Sequence, residues 1–500
     1  MFVYDVVVVG GGFGGLAAAA RLAHAGRSVL LLEGSGEWGG CAGKFDRGGY
    51  RFAAGATVGM GFEDDGVFAR LFDEIEEPLP QMRSLSTIMN VYMPDRTISY
   101  YQDSEAWIEE IVRKFPAEAD CGIRFFREVW AAKPLINQVT RAEVIIPPKT
   151  VTDWFRIMKL ATNGAWKFTN LLTATVADRM RAAGIKPGSA LEAFINGQLM
   201  DSVQTTATCC PALLGYIALN VFHLGAFYVD GGLAEIGFAL ERSIRKNGGE
   251  TLLRKQVTSI QKQGETWAVC TRRDEWFCAK QLVFNGSVHS LAEQFADTES
   301  VLFNKMMPIK ASEEKHVPSW GAFTVYAAGD DPFVEDDGVC FHQFIVDPTK
   351  PFAEGNQFLC SFSSKDDLLR APSGKRAMTV STHTDWKQWW DHSDASSYET
   401  MKEEYGSRIW QVLQEQWTGV SNMSEHRMYG TPITFEHYTK RAQGRVGGYI
   451  PTSWRSIFEG FSPKSNAEGF WLCGDTVFPG AGTLGVVMSG MTVSSRILNK

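Results

Sequence analysis

Apolar and polar positions along the chain separate into unbroken runs, alternating runs and stripes at helical spacing. Val3 to Val9 (VYDVVVV) is a nearly unbroken, mostly β-branched run, which predicts a strand buried on both faces. A glycine cluster follows, then Leu16 to Ala25 as an Ala/Leu-rich helix stopped at Gly26. Arg27 to Leu32 (RSVLLL) predicts a second strand, with Glu33 at its C-terminal end. Further along, Leu233 to Gly249 predicts a helix, Glu250 to Ile260 (ETLLRKQVTSI) a strand, and Gln281 to Asn285 another. Ser319 to Ala328, Val339 to Val346, Gln357 to Phe362 and Arg376 to Thr384 carry alternating or mixed apolar patterns and read as strands. Gly469 to Cys473 (GFWLC) is a last strand, and the stretch from Phe478 to Val487 opens a final helix.

One stripe stands apart. Trp154, Ile157, Met158, Ala161, Ala165, Phe168 and Leu172 recur at helical spacing, interrupted by Gly164. The same span, 151–188, carries Arg156, Lys159, Lys167, Arg179, Arg181 and Lys186 against only Asp153 and Asp178. A locally basic amphipathic segment suits an anionic membrane surface. A helical lid packed on its own domain fits the pattern equally well.

Composition narrows the class. Five hundred residues suit two interwoven domains rather than one small one. Apolar residues at 44% and charged residues at 21% are ordinary for a globular enzyme. The 32 Phe and 15 Trp line an apolar channel or fill a core. A net charge of -8 argues against a nucleic-acid binder, which needs a basic face. Nine cysteines, with no CxxC pair and Cys209 beside Cys210, predict a reducing compartment and mostly buried thiols. Phe2 to Val9 has no basic leader before it, so it reads as a strand and not as a signal peptide. No stretch reaches the roughly 18 uninterrupted apolar residues of a spanning helix. The expectation is a cytoplasmic protein, at most attached peripherally to a membrane surface.

The glycine cluster carries the chemistry. Gly10, Gly12 and Gly15 form GxGxxG, with Phe13 and Gly14 inside it, between a strand and a helix. Gly10 permits a tight turn, Gly12 lets backbone approach a pyrophosphate, and Gly15 lets helix and strand pack closely. The helix N-terminus then offers free N–H groups and a positive dipole end to phosphate. Glu33, followed by Gly34, lies 23 residues beyond Gly10, in reach of a ribose hydroxyl. This favours an adenosine ribose over a 2′-phosphate but does not by itself separate FAD from NAD.

Three other segments do. Gly39-Gly40-Cys41-Ala42-Gly43, with Gly55-Ala56-Thr57 after it, resembles the second half of the FAD fingerprint of the amine oxidase, protoporphyrinogen oxidase and phytoene desaturase superfamily. Cys41 stands where most members carry arginine, and Ala53-Ala54 replaces a common acid. The stretch from Gly231 to Ile260 resembles the segment whose strand, here near Val257, meets the adenine end of FAD. Gly474-Asp475 and the stretch from Phe478 to Val487 resemble the closing motif, in which the acid binds the ribityl or pyrophosphate region. There Leu484, Gly485 and Val486 would aim backbone at the flavin's pyrimidine edge.

Within the superfamily the chain is most similar to the carotenoid desaturase, carotenoid isomerase and retinol saturase branch. Gly430-Thr431-Pro432-Ile433-Thr434-Phe435, Tyr438, Arg441, Gly444 and Gly447-Gly448 carry that resemblance, with the closing Gly-Asp-x-x-Phe-Pro-Gly. It implies an α/β, Rossmann-like two-dinucleotide-binding-domain flavoprotein fold with a mixed α+β substrate domain built from insertions. Residues 1–75, 225–292 and 440–500 would form the FAD-binding domain, and 76–224 and 293–439 the substrate domain. The later strands would form a sheet roofing the substrate channel.

The activity so implied is hydride transfer between flavin N5 and the double-bond system of an apolar polyene or isoprenoid, as a desaturase, saturase or redox-neutral isomerase. Two alternatives stay open: an amine oxidase acting on a polar amine, and a non-redox prenyl-lipid or protein binder of the same fold. These activities differ in redox direction rather than in a side-chain triad, so no catalytic residue is assigned. The nine histidines lack paired-ligand spacing, which predicts no metal site. His289, after the strand ending at Asn285, reads as a satisfied surface histidine rather than one near the cofactor.

Overall fold

The computed structural model describes residues 2–162, 170–294, 319–333, 338–391 and 394–499. Among them two seven-stranded sheets organise the molecule. In the first, Glu250–Leu252, Val29–Leu32, Val3–Val9, Trp276–Phe284 and Phe470–Leu472 run parallel, and Thr266–Thr271 and Val257–Gln263 extend it antiparallel.

The unbroken apolar run of Val3–Val9 has its reason in packing on both sides. Val6 and Val8 bury against the helices Phe13–His24, Ala234–Lys246 and Thr483–Leu498. Val7 and Val9 bury on the opposite face with Leu30, Leu32 and Phe284. Arg21, inside the first helix, donates to the Met491 carbonyl (2.6 Å) and to Ser494 Oγ (3.0 Å), so the two ends of the chain are stitched together. That contact brings the two glycine-rich segments to one place.

Two boundaries differ from the sequence reading. The stretch 250–260 is not one strand but two, Glu250–Leu252 and Val257–Gln263, which pair with different neighbours. Arg254 turns the chain between them at φ 58°, and the Arg254 and Lys255 N–H groups donate to the carbonyls of Ser35 and Glu33. The first helix begins at Phe13, not Leu16, because Gly14 and Gly15 already belong to its first turn.

In the second sheet the order is His426–Gly430, Gly321–Asp330, Lys375–Thr384, Gln357–Phe362, Phe341–Ile345, Thr87–Met93, Arg96–Tyr101. The four strands expected between 319 and 384 are therefore neighbours. Alternation gives the sheet two unlike faces. Phe323, Val325, Phe358, Cys360, Met378 and Val380 form an apolar layer under the long helix Ala395–Gln416. Gln357, Ser361, Thr379, Ser381 and Thr324 alternate with them and project the other way.

The helices between Ser104 and Leu224 enclose a large core around Trp107, Phe126, Phe194 and Tyr216. Of the 151–188 segment, Val151–Thr162 and Val176–Ala183 are helical, while Gly164, Ala165, Lys167 and Phe168 lie outside the described residues. The exposed apolar face of the first piece is Val151, Trp154, Phe155 and Met158, whereas Ile157 packs inward. All nine cysteines are free thiols, five of them buried. Among the described residues no helix is long and apolar enough to cross a membrane.

Candidate functional site

A cavity of about 1230 Å³ opens at the C-terminal ends of the parallel strands, where Val9, Leu32 and Phe284 line it, and reaches the inner face of the second sheet. Ligands of open α/β sheets bind at this edge. The volume exceeds the roughly 300–1,000 Å³ of a single small-molecule site. It has room for two ligands.

One end is built of backbone. Gly10 turns the chain at φ +104°, and a Cβ on Gly15 would lie 2.2 Å from the Gly10 carbonyl oxygen. Gly12 caps the helix Phe13–His24 without any side-chain hydrogen bond, so the first-turn N–H groups face the cavity unclaimed. Glu33 is held as an acceptor at the next strand end: its Oε2 receives the Gly11 N–H (2.6 Å) and its Oε1 the Ser35 N–H (2.7 Å). Beneath the turn, Asn285 Nδ2 donates to the Gly10 carbonyl at 3.1 Å. Sequence reading passed over Asn285, although an amide ending an otherwise apolar strand was the available signal.

Gly10, Gly12, Phe13, Gly14, Glu33, Gly34, Gly39, Gly40, Cys41, Ala56, Thr57, Val257, Gly474, Asp475 and Val486 all line this cavity. Gly15, Leu484 and Gly485 do not. Gly15 and Gly485 lie against the carbonyls of Gly10 and Gly480, and Leu484 packs into the apolar cores.

Arg441 reaches the same wall. Its Nη2 pairs with Asp475 Oδ2 at 2.7 Å, and its Nε donates to the Arg445 carbonyl at 2.5 Å. Burial works against the guanidinium charge, but Asp475 and the nearby Cys41 thiol carry its pKa upward. Burial in turn pushes the Cys41 thiol up, opposed by Arg441. The cation missing at position 41 thus arrives from a distant part of the chain. His289 is buried, not on the surface, and receives a hydrogen bond from Arg445 Nη1 at 3.0 Å through its Nδ1.

Midway, Thr57 Oγ1 and Ser361 Oγ share a hydrogen bond of 2.7 Å, and Tyr326 Oη donates to the Ala54 carbonyl at 2.7 Å. These bonds join the Gly55-Ala56-Thr57 segment to the second sheet.

The far end is built of polar side chains that sequence reading did not single out. Asp201 accepts from Gln343 Nε2 (2.5 Å) and Gln357 Nε2 (2.7 Å), and burial pushes its pKa up to about 6 against the pull of those two amides. His383 is driven down to about 4 by burial. Asp201, Ser202, Gln204 and His383 line the cavity. Nothing short-range marks them, because helix, loop and strand meet only in the fold. Among the described residues, no cluster of three or more His, Cys, Asp or Glu side chains could hold a metal ion.

Comparison with known proteins gives these observations a context. The family model described as "Flavin containing amine oxidoreductase" matches residues 13–498. The chain is 26% identical to prolycopene isomerase 1, chloroplastic, of an Oncidium hybrid cultivar, over 99% of this chain and 84% of that protein. It is 24% identical to the human all-trans-retinol 13,14-reductase, over 99% and 86%, and 23% identical to the 4,4'-diapolycopene oxygenase of a Methylomonas species, over 99% and 98%. In fold it is similar to putrescine oxidase bound to putrescine (TM-score 0.65, 16% identity, 100% of both chains). Cyclohexylamine oxidase from Brevibacterium oxydans is another such fold (TM-score 0.61, 13% identity, 100% and 99%).

Proposed function

We propose, because this chain belongs to the flavin containing amine oxidoreductase family, that it acts on the carbon–carbon double-bond system of a conjugated polyene or isoprenoid lipid. The chain is an FAD-dependent oxidoreductase of the fold shared by flavin oxidases. The observation that carries the substrate class is that relatives named for prolycopene, all-trans-retinol and 4,4'-diapolycopene match 99% of the chain.

The volume of the cavity and the backbone donors at its glycine-rich end support the cofactor's placement there. Gly10, Gly12, Phe13 and Gly14 would cradle the pyrophosphate against the bare helix N-terminus, with Gly15 packed behind the turn. Glu33 and Gly34 would take the adenosine ribose, and Val257 the adenine edge. Gly39, Gly40 and Cys41 would wrap the phosphates, with Gly474 and Asp475 on the ribityl side. Ala56, Thr57 and Val486 would frame the ring system, with Leu484 and Gly485 packed behind them. Bound there, FAD supplies a two-electron hydride acceptor or donor. The chain's own part is positional: the second sheet is tied to the Thr57 segment and would exclude water from the ligand and orient it.

The exposed face of Val151, Trp154, Phe155 and Met158, beside Arg156 and Lys159, is our candidate for peripheral membrane contact, where an apolar substrate resides. The domain limits read from the sequence belong to the same proposal.

The test is a visible spectrum of the purified protein, followed by anaerobic mixing with linear and cis-configured carotenes. Flavin bands and a shift in polyene absorbance are expected, and the direction of the shift separates desaturation, saturation and isomerisation. A flavin bleached by alkylamines and indifferent to polyenes would overturn the substrate class.

A further inference from the structure

The end of the cavity away from the glycine-rich turn is unusually polar for a site that takes a hydrocarbon. Asp201, Ser202 and Gln204 lie at the C-terminal end of the helix Ala190–Val203, with Gln204 its left-handed cap. They face the second sheet, where Gln343 and Gln357 donate to Asp201 and Gln198 Nε2 donates to Gln343 Oε1 at 2.8 Å. No cation approaches the Asp201 carboxylate within salt-bridge distance among the described residues. A carboxylate can accept about four hydrogen bonds, and this one receives two.

Its neighbours are equally underused. Ser202 Oγ and His383 Nδ1 in the lining, Gln204 Oε1 against Gly447, and Gln357 Oε1 behind Asp201 are buried without a protein partner among the described residues. A polar atom left unpaired in an interior weakens the fold by about 1–3 kcal/mol. Several such atoms around one cavity are therefore unexpected unless a ligand completes them. The His383 ring lies 5.9 Å from that of Trp320, and the Trp320 indole donates to the Gln204 carbonyl at 3.0 Å, so the group has a defined geometry.

We propose that this cluster binds a hydroxyl group at one end of the substrate, so that the natural ligand is an oxygenated polyene rather than a hydrocarbon. The hydroxyl hydrogen would go to Asp201, and its oxygen would receive the Ser202 Oγ–H or an N–H at His383 Nδ1. The proposal rests on the polyene reading above and gives it a polar terminus. It also gives a ruler. Gln357, which holds Asp201, and Ser361, which holds Thr57, lie on one face of the strand Gln357–Phe362. Their four-residue separation amounts to roughly 13 Å at about 3.3 Å per residue. The reacting double bond would sit about that far from the hydroxyl, not beside it.

The experiment uses the FAD-loaded full chain and two all-trans polyenes of equal length, one a hydrocarbon and one its terminal alcohol, in detergent micelles. Binding is read anaerobically from the perturbation of the flavin absorption bands, for wild type, Asp201→Ala and Asp201→Asn. Retained flavin bands show that each variant is folded. Wild type should bind the alcohol at least about tenfold more tightly, and the preference should fall below about threefold in Asp201→Ala. Equal affinities in wild type, or a preference that survives in Asp201→Ala, would overturn the hydroxyl site and leave the polyene reading intact. A flavin that responds to neither polyene would overturn both. A response to an alkylamine alone, lost in Asp201→Ala, would reassign the cluster to an ammonium group and overturn the proposal.

Discussion

The two ends of the cavity are made of different material. At the glycine-rich end the working groups are backbone: a turn at Gly10, a bare helix N-terminus after Gly12, and Glu33 pinned by two N–H groups. At the other end they are side chains, Asp201 and His383 in the lining with Gln343 and Gln357 holding Asp201 from behind, drawn from a helix end and three strands. A backbone site tolerates few substitutions because its geometry is the fold itself. A side-chain site can be re-specified without disturbing the scaffold. The comparison makes a prediction about failure: damage at the first end removes the cofactor, whereas damage at the second changes what is bound.

The largest effect expected is at Gly15. A Cβ there would stand 2.2 Å from the Gly10 carbonyl oxygen, a backbone atom that cannot move aside. Gly15→Val should yield protein without flavin bands that excess FAD does not restore, checked by absorbance after gel filtration. A yellow Gly15→Val protein would break the distinction between the two ends at its firmest point.

Arg441 tests whether the backbone end is complete without side chains. Its pair with Asp475 is largely buried, and removing one partner of such a pair costs at most on the order of 3–5 kcal/mol. Arg441→Gln should weaken FAD binding by on the order of 100-fold by titration of apoprotein, since each 1.4 kcal/mol is about tenfold. Adding Cys41→Arg to that variant should recover part of the affinity, because the two positions face one another. A double variant no better than Arg441→Gln would show that the charge matters only as a partner for Asp475.

How much of this was legible in the sequence follows the same division. The turn at Gly10, the strand pair around it and the acid at Glu33 are short-range consequences of glycine freedom and β-branched runs, and the chain shows them as predicted. The sheet strands between 319 and 384 were readable from alternation, yet that alternation also held the polar inner face, whose meaning depends on what lies opposite. Asp201 sits in the last turn of a helix in an ordinary-looking sequence, and only the approach of Gln343 and Gln357 makes it unusual. The split of 250–260 at Arg254 escaped because a left-handed arginine leaves no compositional mark. In the segment 151–188 the spacing gave a helix, but which side faced outward depended on the core beside Ile157.

Asp201 offers a sharper contrast, in which stability and binding should move in opposite directions. Its pKa rises from 3.8 to about 6 through burial, so the folded chain holds the proton more tightly than the unfolded chain does. The associated stability is complete below about pH 4, is lost as pH rises toward 6, and stays lost above. A shift of this size corresponds to at most about 3 kcal/mol. Asp201→Asn, which cannot ionise, should therefore melt higher than wild type at pH 7 to 8, with the gap closing toward pH 4. A variant less stable than wild type at pH 8 would mark Asp201 as a structural acid whose hydrogen bonds outweigh its charge.

The smallest effect expected is at the seam between the two ends, and it decides whether they are coupled at all. Thr57 Oγ1 and Ser361 Oγ share one neutral hydrogen bond of 2.7 Å, in a partly buried setting. A bond of this kind contributes about 1 kcal/mol net. Thr57→Val keeps the shape and removes the hydroxyl, Ser361→Ala removes the partner, and the double variant closes a cycle. Each single variant should destabilise the fold by about 1 kcal/mol, and the double variant should be little worse than either. If the seam also sets the ligand against the flavin ring, the single variants should lower the rate of flavin reduction with little change in ligand affinity. Additive losses in the cycle would mean that the two hydroxyls are merely adjacent, and that the backbone end and the side-chain end work independently on either side of them.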